Sequence, residues 1–181
     1  GKILELFRRI NRAVSDHLRD DECPLVLAGV EYLHPIYREA NTYAKLHEMG
    51  IHGNVENMIP LQLLEKALPI VKPIFRCERE NAENIYLEKK GTGLTSTDLP
   101  SVFKAAFNGR IDTLFVPVGT QEWGVFDEGS KTVKTHKEKR PGDKDLLCVA
   151  SSRTLINGGR VFVVRPDQMP DRSTIAAVMR Y

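Results

Sequence analysis

Asp98-Leu99-Pro100-Ser101-Val102-Phe103-Lys104-Ala105-Ala106-Phe107-Asn108-Gly109-Arg110-Ile111-Asp112-Thr113-Leu114-Phe115-Val116 decides the fold class, because it holds a helix start, a helix stop and a buried strand in succession. Ser96, Thr97 and Asp98 offer oxygens to the first free N–H groups of a helix over residues 99–107, and Pro100 is tolerated in its first turn. Asn108-Gly109 closes that helix, and the apolar run from Thr113 to Val118 reads as a buried strand.

Downstream, residues 123–126 and 132–136 read as a hairpin around Glu128-Gly129-Ser130. Residues 146–156 form a helix ended by Gly158-Gly159, and residues 160–164 and 174–179 are the last strands. Helix, strand, hairpin, helix, strand, strand predicts an α/β layer architecture around one mixed sheet. Upstream, Ile3, Leu4, Leu6, Phe7, Ile10, Ala13, Val14 and Leu18 recur at helical spacing, so residues 2–19 read as a helix. Asp20-Asp21-Glu22 reads as a solvated loop, and Pro24 to Val30 as a strand buried on both faces. Residues 32–44 look helical, and Gly50 and Gly53 mark a loop. Leu61, Leu64, Leu68, Val71 and Phe75 share a helical face, but Pro69 and Pro73 interrupt it, which predicts a kink or two successive helices up to Gly91-Thr92-Gly93. The domain boundary is expected near Phe75, dividing residues 1–75 from 76–181.

Composition narrows the class. Of 181 residues, 41% are hydrophobic and 28% charged, a globular profile rather than a disordered one. No apolar run approaches the roughly 20 residues of a membrane helix, and no signal peptide is visible. A start at Gly1 without Met suggests a piece of a longer parent. Cys23, Cys77 and Cys148 are odd in number and far apart, which fits a reducing cytoplasm, and no Cys-x-x-Cys pair offers zinc a site. A net charge of +2 does not mark a nucleic-acid binder, so any such role must rest on a local patch.

The chemistry-bearing residues point away from catalysis. His47 and His52 stand five apart across Gly50, not at the spacing that puts two ligands on one helical face, and no histidine is paired with Cys or Ser in a nucleophile motif. Gly91-Thr92-Gly93 follows a helix and lacks a Gly-Lys-Ser/Thr ending, so it is a helix end and not a phosphate loop. The basic stretch has two readings. Lys131, Lys134, His136, Lys137, Lys139 and Arg140 crowd the hairpin and the loop after it, with Lys134 and His136 on one face of the strand. They are either an edge strand protected by lysines from aggregation or an electrostatic footprint for RNA phosphates. Arg110, after its helix, joins them as a candidate contact, as does Trp123, which would favour a protein interface if exposed.

Several strings resemble the archaeo-eukaryotic peptide chain release factor and Pelota superfamily. Pro24 to Gly29 looks like a strand near the end of the family's middle domain. Asp98 to Val116 is similar to the helix, glycine and apolar strand that open its C-terminal domain. Gly158 to Val164 and then Ala177-Val178-Met179-Arg180-Tyr181 resemble that domain's last turn and closing strand. Trp123 to Asp127 and the helix from Leu146 to Asn157 most resemble the bacterial branch. The resemblance implies a C-terminal α/β/α sandwich with a mixed sheet, like the kink-turn-binding ribosomal proteins. It implies, before it, the latter part of a ribonuclease-H-like middle domain. The family's Gly-Gly-Gln release tripeptide belongs to an earlier part of the middle domain, and Gly158-Gly159-Arg160 is a turn and not its equivalent. Where kink-turn binders carry Asn-Glu, this chain has Thr95-Ser96-Thr97-Asp98.

Three functions are therefore expected in order. The first is a non-catalytic, cytoplasmic module of a release or ribosome-rescue factor, contacting ribosomal RNA, a ribosomal protein or a translational GTPase, with no cofactor and no membrane. The second is a protein-interaction domain unrelated to translation. The third is a metal-dependent hydrolase fragment, which would need clustered carboxylates.

Overall fold

The computed structural model describes residues 1–19, 23–127, 129–130 and 132–181. The acidic loop expected at Asp20, Asp21 and Glu22 lies outside them. The chain divides into two compact units, Gly1–Cys77 and Glu78–Tyr181.

In the first unit the amphipathic repeat forms helix α1, Lys2–His17. It packs on helix α2, Leu33–Ala40, where the Phe7 and Tyr37 rings meet edge to face at 5.4 Å. Buried Asn11 donates to the Thr42 hydroxyl at 2.8 Å, and its amide oxygen accepts from the Thr42 N–H. The apolar run after Cys23 is shorter as a strand than its sequence predicts. Strand β1 is only Ala28–Gly29, pairing in parallel with β2, Ile51–His52, with one further bridge from Leu25 to Leu46. The expectation of a strand buried on both faces is corrected: Leu25, Val26 and Leu27 are half-buried and Ala28 is exposed. Among the described residues β1 has one strand beside it.

Helix α3, Pro60–Lys89, is a single element where two were expected. Pro69 and Pro73 are both exposed, one turn apart. Proline has no N–H, so each removes one helical hydrogen bond, and the helix continues through both. The apolar face read from the sequence is mostly uncovered: Leu61, Leu64 and Phe75 are exposed, and the buried residues of α3 are Ala82 and Tyr86.

The second unit holds a four-stranded mixed sheet and a separate three-stranded sheet. Gly91 and Gly93 end α3 with φ of 81° and 83°, a left-handed backbone that side chains resist. Then follow β3 (Thr95–Ser96), α4 (Leu99–Phe107), β4 (Ile111–Pro117), β5 (Trp123–Asp127), β6 (Thr132–His136), β7 (Lys144–Asp145), α5 (Leu146–Ile156), β8 (Arg160–Val164) and β9 (Ala176–Met179). Asp98 caps α4 by accepting from the Ser101 N–H at 3.0 Å, and Asp145 caps α5 by accepting from the Leu147 N–H at 3.1 Å. The mixed sheet runs β3-β9-β4-β8, with β4 and β8 parallel and the other pairs antiparallel. Its central strands are apolar on both faces. Leu114, Val116, Ala177 and Met179 pack with Val102, Phe103 and Ala106 of α4 and Leu146, Leu147 and Ala150 of α5. The alternate residues Phe115, Ala176 and Val178 pack with Ala82 and Tyr86 of α3 and with Met169. Alternation of strand side chains thus divides one sheet between two cores.

The hairpin does not join that sheet, which corrects the expectation of one mixed sheet. Strand β5 spends one edge on β6 and the other on β7, so it has no edge left for β4 or β8. Instead it packs on α4 and α5. Phe126 meets Phe107 and Phe103 at ring distances of 4.5 and 4.8 Å. Gly124 permits the approach: a Cβ there would lie 2.2 Å from the Lys134 carbonyl oxygen and 2.9 Å from Leu146 Cδ1. Gly124→Ala is expected to destabilise the chain by about 2 kcal/mol through overpacking against backbone. Chemical denaturation followed by the fluorescence of the sole tryptophan, Trp123, measures it, and an unchanged midpoint would contradict this account of the hairpin's seat.

Candidate functional site

Cross-strand register decides which hairpin side chains share a face. Trp123 lies opposite His136, and Val125 opposite Lys134. Their neighbours Phe126 and Val133 turn inward to the core. The outer face therefore gathers Trp123, Val125, Lys134 and His136, as the strand period requires. Strand β6 is the outermost strand of its sheet, so this face lies at a sheet edge.

The loop after β6 returns over the same face. The Lys139 ammonium sits 4.4 Å from the centre of the Trp123 ring, a cation–π contact. Trp123 is half-buried and already covered by that cation, so it is not the open aromatic anchor that a protein interface would expose. Lys134, Lys137, Lys139 and Arg140 are exposed. Lys131, also expected here, lies outside the described residues.

One acidic residue organises the loop. Asp143, whose side chain is 1% exposed, accepts from His136 Nδ1 at 2.9 Å and from the Arg140 backbone N–H at 2.9 Å. Burial pushes its carboxyl up, but the His136 hydrogen bond, the Arg140 N–H and the charges of both partners outweigh burial and hold it below the usual aspartate range. At the other end of the hairpin Asp127 accepts from the backbone N–H groups of Gly129 and Ser130 at 2.8 and 3.0 Å. Those bonds, with the nearby Lys134 charge, lower its pKa. Both carboxylates are thus used in holding the backbone, while Lys134 and Lys137 are exposed.

The structure does not bring Arg110 to the hairpin. Its guanidinium donates to the Tyr181 carbonyl oxygen at 2.5 Å and lies over the Tyr181 ring at 5.3 Å. It lines a different hollow, with Ser96, Ser101, Lys104 and Asn108. Sequence reading missed these partners, although Ser101, Lys104 and Asn108 form the polar stripe of an otherwise apolar helix, a signal that periodicity could have shown. It also missed Asp143, seven residues from His136 and joined to it only by the loop's return.

Among the described residues no three of His, Cys, Asp and Glu converge as a metal site would require, and no helix is long and apolar enough to cross a membrane. The candidate site is a basic, partly aromatic edge on a two-sheet α/β unit. The model of bacterial archaeo-eukaryotic release factor family 3 matches residues 1–110. The chain belongs to that family, and so to the release-factor-like proteins of translation. Among solved structures it is similar to ribosome-bound archaeal Pelota and ABCE1, with a TM-score of 0.56 and 15% identity over 98% of this chain and 49% of that one. It is also similar to the C-terminal domain of a peptide chain release factor from Methanosarcina mazei, with a TM-score of 0.51 and 13% identity over 66% of this chain and 92% of that one. At such identities the likeness is one of fold, and it shows the mixed α/β architecture. The chain spans about half the length of the archaeal structure it matches. No curated protein matches by sequence.

The Asp143 geometry yields a test with a defined sign. A carboxylate whose folded pKa is depressed contributes stability that is complete above the unfolded value, about 4, and lost as pH falls through the lower folded value. Asp143→Asn is expected to melt below wild type at neutral pH, and the gap is expected to close as pH drops below about 4. Thermal melts across that range check it, and a gap that persists in strong acid would refute the role.

Proposed function

We propose that this chain is the ribosome-directed, non-catalytic part of a bacterial release- or rescue-factor-like protein, acting in the cytoplasm through its basic hairpin edge. Residues 1–75 are the latter part of a middle domain of ribonuclease-H-like fold. Residues 76–181 are a C-terminal release-factor-like domain with the α/β/α layering of the kink-turn-binding ribosomal proteins. Ribosomal RNA is the contact the charge pattern favours, with a ribosomal protein or a translational GTPase as the other partners of the same class. Family membership supports the translation setting.

The observation that carries the reading is the division of labour on the hairpin. Asp127 and Asp143 hold backbone, while Lys134 on strand β6 and Lys137 and Arg140 on the loop after it are exposed. Such a surface releases counterions from a phosphate backbone on binding, without base readout or a cofactor. The edge-strand reading of the lysines remains compatible, since a charged edge both repels other strands and attracts phosphates.

Co-sedimentation with bacterial ribosomes tests it. The chain is expected to pellet in low salt and to be released as salt rises. Lys134→Glu, Lys137→Glu and Lys139→Glu together should weaken binding about tenfold or more, with a shallower salt dependence. Pelleting that is insensitive to salt, or unchanged in the triple variant, would reject the hairpin as the contact.

A further inference from the structure

Where the hairpin rests on helices α4 and α5 lies an apolar hollow of about 170 Å³. Phe103 and Phe107 of α4, Val149 of α5 and Phe126 of β5 line it, together with two cations, Lys144 of β7 and Arg153 of α5. We propose that this hollow docks an acidic segment of a partner protein, one large apolar side chain entering it between carboxylates that meet Lys144 and Arg153. It is a surface apart from the hairpin lysines, and its occupant is a protein and not a phosphate backbone.

Placement of the two cations is the first argument. Lys144 stands opposite Gly124 across β5 and β7, and residues directly opposite share a face. That face is the inward one, whose other side chains Phe126 and Val133 pack on the core. The sheet thus puts a lysine on an otherwise apolar row. A lone inward lysine guards an edge strand against pairing with another chain. Arg153 has no such use, because it lies on a helix, four residues after Val149 and on the same face. Both cations are exposed, and among the described residues no carboxylate lines the hollow. Arg153 also lies over the Phe107 ring at 4.5 Å, which restrains the guanidinium and leaves it N–H donors for a carboxylate.

Size and polarity are the second argument. An apolar space of roughly 150 Å³ holds one benzene ring, so the hollow takes one side chain of the size of phenylalanine or leucine. The same walls disfavour a nucleobase. Lysine and arginine only donate, and no other polar side chain lines the hollow, so a base's own N–H groups would lose water without gaining an acceptor. Neither ring of α4 has an open face for stacking. Phe103 is fully buried, and Phe107 is covered by Arg153 and packed on Phe103 and Phe126 at 5.1 and 4.5 Å.

Fluorescence anisotropy tests the site, with the full chain in low salt and a labelled pentapeptide that has one phenylalanine between paired aspartates. Saturable binding is expected, and absence of binding at roughly 1 mM peptide would overturn the proposal. Lys144→Glu and Arg153→Glu change exposed residues, and each is expected to weaken binding about tenfold, the loss of one charge-assisted contact. Val149→Phe, which fills the hollow, should weaken it as well. Binding that survives both charge reversals would sink the idea, as would equal binding of a peptide with alanine in place of phenylalanine. The hairpin lysines are controlled with Lys134→Gln, Lys137→Gln and Lys139→Gln together, a background expected to bind the peptide as before. Loss of binding there would place the peptide on the hairpin and overturn the assignment, and displacement by a short RNA in that background would give the hollow to nucleic acid instead. Ribosome pelleting is read separately, so failure of this site and failure of the hairpin reading are distinguishable.

Discussion

The pairing of β4 with β9 is the constraint on which the second unit depends. Both strands are apolar at successive positions, so each presents one row of side chains to α4 and α5 and the other to the end of α3. Neither row can be left open to water without losing roughly 25 cal/mol for every Å² of apolar surface. Helices are therefore required on both faces. Tyr86 shows how far this reaches: its ring packs edge-on to Phe115 while its hydroxyl donates to Asp171 at 2.9 Å. Burial, and then the Asp171 hydrogen bond and charge, push the Tyr86 pKa far up, so it stays a neutral donor. Asp171 itself sits in a left-handed backbone, φ 56°, and its carboxylate also accepts from Lys90. The segment before β9 is thereby tied to the helix that covers its sheet.

The candidate surface is built on a part of the unit that the main sheet does not contain. With both edges of β5 used, the hairpin is a small sheet resting on α4 and α5 through Phe126 and the close approach at Gly124. Its inward residues are consumed by packing, which leaves the outward ones for charge. Asp143 then converts a loop of exposed cations into a fixed one by holding His136 and the Arg140 backbone together. The same economy recurs on α4. Its apolar positions face the core, and its polar stripe lines a hollow with Arg110.

What was legible in the sequence was local. Helices over residues 99–107 and 146–156 and the strand over residues 160–164 were readable to the residue, because caps, glycines and apolar period agree there. The long helix was less legible. Proline weighs heavily in a sequence reading, and only its placement on a water-facing side makes two of them tolerable within Pro60–Lys89. The run after Cys23 misled for the opposite reason, since an apolar strand says nothing of how many neighbours lie beside it. Of the candidate site, Lys134 and His136 were placed on one face by the period of two, and register then added Trp123.

By itself the sequence determined the main helices and longer strands of the second unit and their order, the mixed α/β class and the family resemblance, all of which rest on neighbours a few residues apart. Only the tertiary structure decided that the hairpin forms its own sheet, that Asp143 closes on His136, and that Arg110 belongs with Lys104 and not with the hairpin lysines. Those outcomes depend on which strand edges are already occupied and which backbones approach within contact distance. Such distances are set by packing between segments far apart in the chain, and no local pattern encodes them.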